Sequence, residues 1–236
     1  MISAAEKKAY IAAVQCITKA PSKLSATTYP GAKTRYNDFV VIYMKNTLTI
    51  RGTGNVLSWH SETSMGSQGE KVAHNSNGLK PAIKGGVCIA KGPFKDIKSN
   101  DYGYNTRCIK RDISGYLVQR DSKYAKVAAL ITNSKTIGPF QDTMQAGTGV
   151  HIAGHFTFLH LFLHHSQIDR VWWIWQAQDF ANKQQVIACG ASMMGGGRAQ
   201  SLEDNIDLEV LNVDGKADKI KELVSTIGGP FCYVYE

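Results

Sequence analysis

The sequence predicts a mainly α-helical protein with long irregular loops and few strands. Apolar residues recur at helical spacing in three well-separated segments. Between them, Ser61 to Asn105 is rich in Gly, Ser, Asn and Lys and holds neither a helical nor a strand period. Only the tail, Phe231 to Tyr235, reads as extended.

The first helix covers Ser3 to Lys19, with Ala5, Tyr10, Ala13, Val14 and Ile17 on one side and Pro21 ending the pattern. A second spans Tyr36 to Leu48, bracketed by Pro30-Gly31 and by Gly52 and Gly54. Leu57 to His60 starts a short apolar element before the long loop. Partial order returns from Ile109 to Ile131, with a short helix over Ser122 to Leu130. Gln167 to Ala181 is a strong helix whose Ile168, Val171, Trp172 and Trp175 form an apolar stripe that suits a core. After the break at Met193 to Gly197, a last helix is expected over Asp218 to Ser225. Gly195-Gly-Gly197 has neither the Lys-Ser/Thr nor the βαβ frame of a phosphate loop.

With 236 residues and 43% hydrophobic content, one domain over 1–236 is expected. No run of 18 apolar residues exists and the first ten residues carry charges where a secretory segment is apolar, so a soluble, cytoplasmic protein is expected. The net charge is +8, but the 27 Lys and Arg are scattered, which argues against nucleic acid as partner. Five cysteines, Cys16, Cys88, Cys108, Cys189 and Cys232, lack any CxxC pair; their odd number favours reduced thiols.

Seven histidines occur, and five fall between His151 and His165. His151 and His155 are four apart, so on a helix they share a face and can bind one metal ion together. His165 is the candidate third ligand, because Asp169 follows at the same spacing and can accept the ring N–H that the metal leaves unused. His160 and His164 form another four-spaced pair, read as packing or as hydrogen-bonding support behind the ligands. His74, in a polar loop, is read as solvated.

The phrase Phe162-Leu-His164-His165-Ser-Gln-Ile-Asp169-Arg-Val-Trp-Trp173-Ile-Trp-Gln176 resembles the copper-B signature of the tyrosinase, catechol oxidase and haemocyanin family. His151-x-x-x-His155-Phe resembles that family's other copper-B helix. Tyr36 to Phe39, Thr47 to Ile50, Gly52 to Asn55 and Leu57 to His60 resemble the copper-A region of short fungal tyrosinases, and Gly229 to Tyr235 resembles their tail. The resemblance implies a trimmed tyrosinase-like four-helix bundle.

The departures decide the chemistry. Where the family places three copper-A histidines, this chain has Tyr43, Arg51 and His60. An arginine keeps its proton and repels a cation, so a two-copper oxygen centre, and with it tyrosinase activity, is not expected. About one bundle helix is missing after His60, where the chain passes at once into Ser61 to Met65 and loop, and the family's long connection between the second and third copper-B histidines shrinks to Phe156 to His164. Were Val150 to Gln176 one unbroken helix, His155 and His165 would stand ~15 Å apart along its axis. Either the chain turns within Phe156 to Leu163, or a second copy supplies His165; the shortened hinge and the apolar surface left by the lost helix predict a homodimer, with exchange of helices as one way to build it.

Three neutral imidazoles with an open fourth position suit a catalytic zinc ion, one per site, with copper as the other fit. Family members with a degenerate A site and a zinc-type B site resemble the fungal cyclopenases of quinolone alkaloid biosynthesis. That resemblance implies ring contraction of a cyclopenin-type benzodiazepinedione to a viridicatin-type quinolone with loss of an isocyanate. Tyr43, Arg51 and His60 would then act on the small aromatic or amide-rich substrate, though Arg51 could instead pair with Asp38 or Glu62. Two other readings stand beside this lyase: a non-catalytic scaffold, and a mononuclear copper oxidase.

Overall fold

The computed structural model describes residues 3–47, 87–100, 103, 106–111, 115–155, 161–188, 190 and 197–236. They form two compact units, one from the residues up to Asn46 together with 87–111, the other from 115 onward.

In the first unit, α1 spans Ala4–Ile17 and opens on a capping box: the Glu6 N–H donates to Ser3 Oγ at 3.2 Å and the Ser3 N–H to Glu6 Oε2 at 2.6 Å. The helix stops four residues before Pro21, as expected. α2 spans Arg35–Thr47. Its first turn holds the fully buried Asp38, whose carboxylate accepts from the Ser22 hydroxyl, the Lys23 N–H at 2.9 Å and the Arg35 guanidinium at 2.5 Å. Asp38 is therefore committed to its own loop, and the pairing with Arg51 considered from sequence is not needed to satisfy it. Among the described residues, Val14, Leu24, Ala32, Val41, Ile42, Ile89, Phe94 and Ile97 are the buried apolar residues of this unit.

Two short antiparallel ladders complete it: β1 (Val87–Cys88) with β4 (Lys110–Arg111), and β2 (Lys98–Ser99) with β3 (Arg107–Cys108). Cys88 lies opposite Lys110 in one and Cys108 opposite Lys98 in the other. A disulfide joins Cys88 to Cys108, with their Cα atoms 5.6 Å apart. This corrects the expectation of reduced thiols: spacing along the chain says nothing about which cysteines a fold brings together. Cys16 and Cys232 are free and exposed.

The second unit is helical. α3 (Gly115–Asp121), α4 (Tyr124–Asn133), α5 (Ile137–Gln145), α6 (Val150–His155) and α7 (Leu161–Ala177) follow in order, then the single turn α8 (Phe180–Lys183). Its core joins Leu130 and Ile131 of α4, Ile137, Phe140 and Met144 of α5, and Ile168, Val171 and Trp175 of α7. The apolar stripe read from the sequence is thus the face α7 buries, with Trp172 packed at its margin. Trp175 stacks on Phe140 at 4.9 Å between centroids and donates its indole N–H to Ser134 O at 2.7 Å.

Beyond α8, β5 (Asn205–Ile206) pairs antiparallel with β6 (Asp218–Lys219), a 3-10 turn (Glu209–Leu211) lies between them, and α9 (Ile220–Leu223) follows. The last helix is shorter than expected because Asp218 and Lys219 are drawn into this ladder. Gln176 anchors the region by donating to Val224 O at 3.1 Å. Among the described residues, no helix is long and apolar enough to cross a membrane.

Candidate metal centre

Gly149 closes the turn between α5 and α6. Its N–H donates to Ala146 O at 2.6 Å, and a Cβ there would stand 2.2 Å from the Met144 carbonyl oxygen and 2.6 Å from that of Thr143. Only glycine permits so close an approach. The turn packs α6 against α5 and places the His151 ring beside the last side chain of α5. His151 Nδ1 lies 2.5 Å from Gln145 Oε1. An amide oxygen can only accept, so this contact favours the neutral tautomer with the proton on Nδ1 and the lone pair on Nε2.

α7 supplies two more rings. His164 lies face to face with His151, centroids 5.6 Å apart and planes 16° from parallel. His165 meets His151 edge-on at 5.6 Å and His164 at 5.0 Å. One ligand nitrogen from each of the three lies within 4.8 Å of the others. Tetrahedral zinc with Zn–N near 2.1 Å holds its nitrogens about 3.4 Å apart, so ring shifts of about an ångström bring this set to coordination distance. His151 and His164 are buried and His165 is half-buried, which puts the third ring nearest to solvent. Three imidazoles are a donor set that zinc or copper accepts.

The structure brings together His151 and His165, two of the three expected ligands, with His164, expected to stand behind them. His155 closes α6, but its side chain lies outside the described residues. Arg51, His60, His74 and His160 also lie outside them. Tyr43 is half-buried on α2 in the first unit. Asp169, expected to orient His165, accepts from the Tyr233 hydroxyl at 2.7 Å and from the Tyr235 hydroxyl at 2.5 Å. Burial first, then the adjacent carboxylate, pushes both phenols above their ordinary pKa. Sequence reasoning found neither these tyrosine contacts nor Gln145.

The His151 and His165 rings lie 5.6 Å apart within a single chain, so bringing this pair together does not require a second copy.

No protein-family model matches the chain. In three dimensions it superposes on a variant of the polyphenol oxidase from Thermothelomyces thermophila with a TM-score of 0.80 over 100% of this chain and 86% of that one, at 22% identity. The fold is that of the tyrosinase and polyphenol oxidase class. By sequence the chain is tyrosinase-like at low identity. It is 24% identical to tyrosinase P of Aspergillus terreus, covering 99% of this chain and 89% of that protein. It is equally 24% identical to an N-acetyl-6-hydroxytryptophan oxidase of Emericella nidulans, over 98% and 89%. The first of these alignments runs over 322 positions against 236 residues here, so that relative carries segments with no counterpart in this chain.

Proposed function

We propose that the chain holds one zinc ion on His151, His164 and His165 and serves as a non-oxidative, cyclopenase-like enzyme of fungal secondary metabolism. The observation that supports this reading is one compact three-imidazole group within a single chain, set beside a sequence whose second ligand set has become Tyr43, Arg51 and His60. Bound there, zinc supplies a Lewis acid for a carbonyl or epoxide oxygen. The imidazoles fix its position; Tyr43, Arg51 and His60 are proposed from the sequence alone as the groups that handle the substrate and its proton. Contraction of a cyclopenin-type seven-membered ring to a viridicatin-type quinolone releases one isocyanate and balances without an oxidant.

A second reading, a mononuclear copper oxidase, is favoured by the relatives named above as tyrosinase or oxidase. Elemental analysis of protein purified without added metal separates the two, paired with chromatography of cyclopenin incubations and an oxygen electrode with catechol. Zinc near one per chain with isocyanate-releasing turnover supports the proposal. Copper with oxygen uptake supports the second reading and overturns the first. Trace metal and no turnover leave a non-catalytic scaffold.

A further inference from the structure

We infer that Gln145 is a positioning residue for the metal centre, holding His151 in the tautomer that presents Nε2. This rests on the reading of His151, His164 and His165 as ligands. In water a neutral histidine prefers its proton on Nε2, the atom this site needs bare. An acceptor placed against Nδ1 reverses that preference before any metal arrives. Gln145 Oε1 is such an acceptor, 2.5 Å from Nδ1.

Its placement is built into the fold rather than left to a mobile side chain. Gln145 is the last residue of α5, whose Phe140 and Met144 are locked in the core. The connection to α6 is only four residues long and is closed by Gly149, where any side chain would collide with the carbonyls of Thr143 and Met144. Gln145 therefore reaches His151 at a register that α5 and the turn impose together. A neutral amide also orients the ring without adding negative charge beside the cation. A carboxylate at this position would accept the same proton more strongly.

The test uses the whole chain, stripped of metal and labelled with nitrogen-15, as wild type, Gln145→Met and Gln145→Glu. Methionine keeps the volume and removes the acceptor; glutamate keeps the acceptor. Ring nitrogen shifts should place the His151 proton on Nδ1 in wild type and in Gln145→Glu, and mainly on Nε2 in Gln145→Met. Zinc titration should show binding about 10- to 100-fold weaker in Gln145→Met, and as tight as wild type or tighter in Gln145→Glu. An unchanged tautomer in Gln145→Met, equal zinc affinity in that variant, or weakened binding in Gln145→Glu would each overturn the inference. The tautomer is read in metal-free protein, so it decides the role of Gln145 even if the proposed zinc enzyme fails for lack of zinc or of turnover.

Discussion

Trp175 reaches across the second unit to the end of α4, where its indole N–H meets the carbonyl of Ser134 at 2.7 Å. Both residues are buried, Trp175 completely. Replacing the indole by phenylalanine removes the donor, leaves a buried carbonyl without it, and opens a void beside Phe140. Trp175→Phe should cost about 3 kcal/mol. Urea denaturation followed by circular dichroism checks this; a midpoint equal to wild type would show that the contact contributes nothing.

The tail contacts predict a dependence on alkaline pH. Tyr233 and Tyr235 have phenol pKa values raised in the folded chain, chiefly by burial and next by Asp169. A raised folded pKa means the contribution is complete below the unfolded value of about 10 and is lost as pH climbs beyond it. Wild-type denaturation midpoints should hold to about pH 10 and then fall. The Tyr233→Phe/Tyr235→Phe double variant should start lower at pH 8 and show a flatter alkaline limb.

The ligand set can be read one histidine at a time. Zinc bound per chain should fall below about a tenth of wild type in each of His151→Ala, His164→Ala and His165→Ala, the loss expected when a tridentate site becomes bidentate. Retention by His164→Ala together with loss in His155→Ala would instead assign the set His151, His155 and His165, the one that helical spacing suggests.

The Cys88–Cys108 bond closes a loop of 20 residues in the first unit. Closing a loop of that length stabilises by about 3 kcal/mol in the chain-entropy description. Cys88→Ser/Cys108→Ser should lower the thermal midpoint of the first unit, and dithiothreitol should lower wild type to the same value. A reductant-insensitive wild type would contradict the pairing.

Much of this architecture was legible in the residues. The stripe of Ile168, Val171 and Trp175 gave the buried face of α7, and the histidine run contains the three rings that cluster on α6 and α7. α5 escaped detection because Gly138 and Pro139 look like helix breakers, yet both lie in its first turn, where backbone N–H groups have no partner inside the helix and a proline fits. His164 was read as standing behind the ligands, whereas its ring lies beside those of His151 and His165. The four-residue rule assumes one continuous helix, and a straight one would hold His151 and His165 about 21 Å apart along its axis, not at the 5.6 Å between their rings. Gln145 carries no signal at all in the sequence, being six positions from His151 and on another helix. Its role emerges only once the turn at Gly149 is folded.

His151, His164 and His165 come from one stretch of a single polypeptide, and that has a consequence for handling the protein. A centre assembled between copies would empty on dilution, as subunits part and the shared ion escapes. Here occupancy should be set by free zinc alone: nanomolar and millimolar solutions buffered to the same zinc activity should carry the same metal per chain.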